Sequence, residues 1–213
     1  NRRGEELQPY LARYLPIFPE YGDFNIWRED GSLIAAAVGQ EPGEPLPNIS
    51  DRPHFKQAMS TCSPAVSPMI ISRVIGEPVV AIAAPITNDA GNPYGAVTVL
   101  LNVGQITKKL QELHLSREQM VFVTDGDGRL VFHTAKPSLG WEERDLSWYR
   151  PVQQALAQGQ FSGTAECDFP PGLCLVTAVK TSSYGWISTI SVLETAVLGP
   201  IQRSALTSLG VYL

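Results

Sequence analysis

Apolar and polar positions alternate in short, regular runs along this chain, and Gly, Pro, Asn and Asp punctuate them. The first pattern is helical. Leu7, Tyr10, Leu11, Tyr14 and Leu15 form one apolar stripe, with Pro9 near its start and Pro16 at its end. This predicts an N-terminal helical segment over residues 1–23. Phe24 to Trp27 then reads as a strand, Arg28-Glu29-Asp30-Gly31 as a turn, and Leu33 to Val38 as the returning strand. Gln40 to Pro47 carries three prolines and reads as an irregular loop. Asn48 to Met59 holds a short helix that Ser50 or Asp51 can cap, with Pro53 tolerated in its first turn. In the following segment Met69, Ile71 and Arg73 alternate with Ile70, Ser72 and Val74, as in a strand with two distinct faces. Pro78 to Ile86 and Gly95 to Asn102 are the two most apolar runs. The turn formers between them predict a central antiparallel hairpin.

The same order then begins again. A linker helix is predicted over residues 105–119, on Ile106, Leu110 and Leu113. Met120 to Thr124 and Leu130 to His133 follow as a hairpin about Asp127-Gly128. Asp30-Gly31 and Asp127-Gly128 lie 97 positions apart, and so do Ala58 and Ala155 in the two short helices. Two features at one offset predict a duplicated unit of ordinary domain size. Thr164 to Cys167, Leu173 to Lys180 and Trp186 to Val192 complete the second sheet. Residues 194–213 return to helical character.

Composition narrows the class. A hydrophobic content of 44% is ample for packed cores. A net charge of −5 and no block of Lys and Arg argue against a nucleic-acid binder. Gly 18 and Pro 17 fit many short strands joined by turns. No run of eighteen apolar residues is present. The apolar approach over Leu206 to Leu213 raises the expectation of a segment taken from a larger membrane protein. Cys167 and Cys174 flank Pro170-Pro171-Gly172, a tight reversal that could bring them within disulfide range. Two unpaired, partly buried thiols are the other reading.

Reaction chemistry is hard to find. The chain has no nucleophile elbow, P-loop or dinucleotide fingerprint. Asp125-x-Asp127 lacks the ligands of a calcium loop. His54, His114 and His133 have no metal spacing. No catalytic residue, metal or cofactor is therefore expected. A binding site is. Arg52, at the start of a helix, suits a carboxylate or other small anion, although on residue chemistry alone the plainer reading is that it pairs with Asp51 or another surface acid. Arg52, His54 and Phe55 would form one wall of a pocket, Met69, Ile71 and Arg73 the next, and Leu100 the floor with Ala84 opposite. The plainer reading of Met69, Ile71, Ala84 and Leu100 is core packing.

Asp51-Arg52-Pro53-His54-Phe55, Gly76-Glu77-Pro78-Val79-Val80, Ala84-Pro85-Ile86, Asp89-Ala90-Gly91 and Tyr94-Gly95 together resemble the membrane-distal half of a double Cache sensor domain. Such domains are the PAS-like extracytoplasmic sensors of bacterial histidine kinases, chemoreceptors and diguanylate cyclases. The resemblance covers nearly the whole chain. It implies an α/β (α+β) fold with two PAS-like lobes, each an antiparallel sheet with flanking helices, stacked along a long N-terminal helix. The ligand-binding lobe would span residues 24–104 and the membrane-proximal lobe 120–193. It also implies a small-molecule ligand, a location outside the cytoplasmic membrane, anchoring through flanking transmembrane helices, and no nucleic acid, with homodimerisation left open. In the amino-acid-binding members an arginine in this motif holds the ligand carboxylate, and Arg52 matches it. His54 and Phe55 stand where Trp and Tyr are usual. Leu100 stands where an acidic residue would hold an ammonium, so a carboxylate without an amine is the natural expectation. The competing classes are an interaction module with filled lobes, a small hydrolase or transferase, and a cytosolic PAS sensor.

Overall fold

The computed structural model describes residues 2–39, 45–104, 107, 116, 118–136, 139–168 and 171–199. The chain divides into two compact units, Asn1–Ile106 and Thr107–Leu213. The first contains α1 (Arg2–Ala12), β1 (Tyr21–Arg28), β2 (Leu33–Ala36), α2 (Pro53–Thr61), β3 (Ala65–Ile71), β4 (Pro78–Thr87) and β5 (Pro93–Asn102). The second contains β6 (Gln119–Thr124), β7 (Leu130–His133), a short 3-10 turn (Glu142–Arg144), α3 (Arg150–Gln158), β8 (Gln160–Asp168), β9 (Pro171–Lys180) and β10 (Ile187–Leu193). The fold is α+β, with two antiparallel five-stranded sheets. Their strand orders, β2-β1-β5-β4-β3 and β7-β6-β10-β9-β8, are one topology used twice.

The duplication extends to single hydrogen bonds at the offset of 97. The Ile49 amide donates to the Gly31 carbonyl, and the Leu146 amide donates to that of Gly128. Ser32 bridges Asn48, and Arg129 bridges Asp145. Asn48 Oδ1 accepts from the Ser50 amide, and Asp145 Oδ1 from the Ser147 amide. Each link leads into its helix, α2 at Pro53 and α3 at Arg150. The two glycines are required. Gly31 and Gly128 have φ of +76° and +83°, and a Cβ on either would run into the backbone of Ser50 or Ser147.

Each unit builds its own core. In the first, Trp27, Leu33, Ala36, Ile49, Phe55 and Ala96 pack together, and Ala58 of α2 closes against Ala65 and Ala83. In the second, Phe122, Leu130, Val152, Phe161, Val176 and Ile187 belong to one cluster.

Three expectations need correction. The N-terminal helix stops at Ala12; turns follow, and β1 already starts at Tyr21. Pro16 and Pro19 lack the N–H donors that would carry a helix on. The cap of α2 is Arg52, with extended backbone and no side-chain cap, rather than Ser50 or Asp51. Cys167 and Cys174 are free, buried thiols. Their register explains this, because Cys167 lies opposite Gly172 and Cys174 opposite Ala165. Diagonal positions across a ladder are too far apart for a disulfide. The predicted linker helix lies almost wholly outside the described residues. Of the C-terminal helical segment only 194–199 is described, and those residues are helical.

Candidate functional site

The start of α2 determines what Arg52 can do. Asp51 is exposed and pairs with Arg73, whose Nη2 donates to Asp51 Oδ2 at 2.8 Å. Arg73 Nη1 also donates to the Asn48 carbonyl at 2.6 Å. Arg73 holds the Asp51 carboxyl down at about 2. The acid beside Arg52 is thus taken by another arginine. Arg52 Nη2 instead donates to the Ile71 carbonyl at 3.0 Å, across from helix start to strand end. Burial, and then the neighbouring charge of Arg73, lower the pKa of this half-buried guanidinium, so a further anion would be electrostatically welcome.

Behind Arg52 lies a polar cluster within the sheet. Asp23, Asn25 and Trp27 alternate along β1 on its buried face. Thr98 on β5 is the register partner of Asn25. Thr98 Oγ1 accepts from Trp27 Nε1 at 2.8 Å and from Asn25 Nδ2 at 3.4 Å. That leaves Asn25 Oδ1 without a partner, and His54 Nδ1 from α2 is likewise unpaired. His54 is 4% exposed. Burial, and secondly Arg52, push its pKa down to about 4, so the ring is neutral at pH 7. Asn25, Arg52, His54, Ser72 and Thr98 line one small pocket with Leu100. Its volume is about 20 Å³, room for a single water.

The structure sorts the predicted site residues. Arg52, His54, Ile71, Arg73 and Leu100 line this pocket. Phe55, Met69 and Ala84 do not, which corrects the expectation for those three. Phe55 is spent in the core with Trp27 and Leu33. Ala65, Ser67 and Met69 are the buried positions of β3 in unbroken alternation, and Met69 lies outside the pocket while Ile71, two residues on, lines it. On β4 the pocket takes Ala81, while Ala84 falls on the alternate, less buried phase. Asn25, Trp27, Ser72 and Thr98 were missed. The available signal was an Asn and a Thr inside runs otherwise apolar, at Phe24-Asn25-Ile26 and Val97-Thr98-Val99.

One carboxylate lies near the expected acidic position. Asp23 on β1 is the register partner of Leu100. It is fully buried, accepts from the Phe24 and Val38 amides through Oδ1, and leaves Oδ2 unpartnered. Burial raises its pKa to about 6.

No family model matches the chain. Sporulation kinase D of Bacillus subtilis (strain 168) is 26% identical over 145 residues, which cover 68% of this chain but only 28% of that protein. Among solved structures, the extracellular domain of a candidate histidine kinase, rpHK1S-Z16, superposes with a TM-score of 0.73. It is 20% identical and covers 91% of this chain and 79% of its own. The ligand-binding domain of the Pseudomonas aeruginosa PAO1 amino acid chemoreceptor PctB, in complex with L-Arg, gives a TM-score of 0.62. The match is at 21% identity and covers 95% of this chain and 78% of that one. The chain has the two-lobed fold of these extracellular sensor domains, as the double Cache resemblance implied.

Proposed function

We propose that this chain is the extracytoplasmic sensing domain of a membrane signal-transduction receptor, binding a small carboxylate in its first lobe through Arg52. One observation carries the site. Arg52 has a carbonyl, not a carboxylate, for a partner, and the unpaired Asn25 Oδ1 and His54 Nδ1 line the same pocket. A buried polar atom without a partner is costly, and a ligand that supplied one would recover that cost. The pocket must widen to admit more than water. The contact to be broken is the bond from Arg52 to the Ile71 carbonyl, which ties α2 to the end of β3. A ligand that takes over the guanidinium favours the arrangement in which that tie is released. Such a shift in population is a signal, in proportion to the ligand's preference for the open form. The kinase relative and the chemoreceptor neighbours support a receptor of this type. The output, whether kinase, cyclase or chemotaxis rod, belongs to the whole receptor, and the reading gives this domain no catalysis of its own.

Asp23 favours a second reading, that the ligand is an α-amino acid whose ammonium would meet Asp23 Oδ2 beside Leu100. One thermal-shift panel separates the two. Under the first reading acetate, propionate or succinate raises the melting temperature and the matching amino acids do not. Under the second the order reverses. In either case Arg52→Ala removes the rise. No shift from any member of either set would overturn the proposal.

A further inference from the structure

The second lobe repeats the frame of the first pocket with its charge removed. At the offset of 97, Tyr149 stands for Arg52, Phe122 for Asn25 and Leu146 for Ile49. These three residues line a cavity of about 390 Å³, against about 20 Å³ in the first lobe. That is within the usual range for a small-molecule site. Further apolar lining includes Met120 and Leu130, Ala165 on β8, and Leu139 and Trp148.

Two uncharged polar side chains, His133 and Tyr149, line the cavity. The His133 ring lies parallel to Phe122, centroids 5.7 Å apart. Its Nδ1 accepts from the Ala135 and Lys136 amides at 3.0 and 3.1 Å, so the neutral ring carries its proton on Nε2. The Tyr149 hydroxyl meets only the Cys167 sulfur, at 4.0 Å. Five charged residues also line the cavity, Lys136, Glu143, Arg150, Glu166 and Asp168, and all but Lys136 are exposed to solvent. Glu143 accepts from the Gly140 amide. The Arg150 guanidinium lies over the Phe161 ring. Lys136 has interactions of its own. Glu166 and Asp168 are exposed and alternate along β8 with Ala165 and the buried Cys167. The lining carries two cations, Lys136 and Arg150, against three carboxylates, Glu143, Glu166 and Asp168, so its charge balance does not favour an anion over a neutral molecule.

We infer that the second lobe binds a ligand of its own, a small uncharged aromatic molecule with one polar substituent, its ring against Phe122, Leu130 and Leu146 and its substituent toward His133 Nε2 and the Tyr149 hydroxyl. This site is independent of Arg52, and both can be occupied at once.

The test uses the whole chain labelled with 13C at its methionine methyls, titrated with p-cresol and, separately, with benzoate. Met120 lines the second-lobe cavity, whereas Met59 and Met69 belong to the first lobe. The expected result is a saturable shift of the Met120 methyl with p-cresol, none at Met59 or Met69, and at least tenfold weaker binding of benzoate. The p-cresol response should persist in Arg52→Ala, so that failure of the first-lobe reading leaves it standing. Ala165→Phe, which fills the cavity, should weaken p-cresol at least tenfold. Tyr149→Phe should weaken it severalfold. An unmoved Met120 methyl, benzoate binding as tightly as p-cresol, or shifts confined to Met59 and Met69 would each overturn the inference.

Discussion

Arg52 is available because Asp51 turns to Arg73. Were Arg73 removed, the exposed Asp51 carboxylate would be free to lean on Arg52 and compete with a ligand. Arg73→Ala is therefore expected to weaken the response to a carboxylate about twofold to fivefold, the modest effect of a solvent-exposed ion pair. Full retention of the response in a titration would contradict this. Asp23 gives a second test at the same scale. Burial holds its pKa in the folded protein at about 6, above the ordinary 3.8 of an aspartate. Stability from this group is thus fully present below pH 3.8 and is lost as pH rises through about 6. Asp23→Asn keeps an acceptor for the two amides and removes the penalty. It should be the more stable protein at pH 8, by up to about 3 kcal/mol, and should lose that advantage by pH 4. Urea unfolding at the two pH values reads this directly, and a difference independent of pH would exclude it. His54 and His133 act in the opposite sense. Both are depressed to about 4 by burial, so their contribution holds above about pH 6.5 and is lost as pH falls through about 4.

At the scale of elements, the start of α2 assigns its cap, Arg52, and Phe55 in its first turn to two different tasks. Arg52 addresses the pocket, and Phe55 fills the core between Trp27 and Ala96. Phe55→Ala should cost about 3–5 kcal/mol of stability while leaving the ligand-induced rise in melting temperature intact. Arg52→Ala should do the reverse. Identical effects of the two on both readouts would mean that this division is wrong. The helix and its arginine were legible in the sequence, because Asp51-Arg52-Pro53 marks a helix start on local chemistry alone. The walls were less so. Met69 keeps the buried phase of β3 yet lies outside the pocket, because alternation gives the face of a strand and not how far along it a pocket reaches. Asn25 and Thr98 showed only as polar breaks in apolar runs, and a single polar residue in a strand reads as a surface position until its cross-strand partner is known. The thiols of Cys167 and Cys174 depended on register in the same way.

For the molecule as a whole, the repeat was the most readable feature. Asp30-Gly31 and Asp127-Gly128 expose it because a positive φ and a crowded backbone admit little but glycine. What the repeat could not tell was how each copy uses its interior, since cavity volume is set by side chains from five strands and a helix at once. Each unit has its own sheet and core, and Phe55→Ala is therefore expected to speed amide exchange across β1–β5 while leaving β6–β10 near their original protection. Uniform acceleration would instead mean one cooperative core. The most direct measurement of the central claim is the electron density beside Arg52 in crystals grown with the carboxylate that gives the largest thermal shift. The ligand's carboxylate should lie about 3 Å from the Arg52 guanidinium, with the Ile71 carbonyl released and the pocket enlarged. Arg52 still bound to Ile71 around a space no larger than a water, or ligand density elsewhere, would contradict the account.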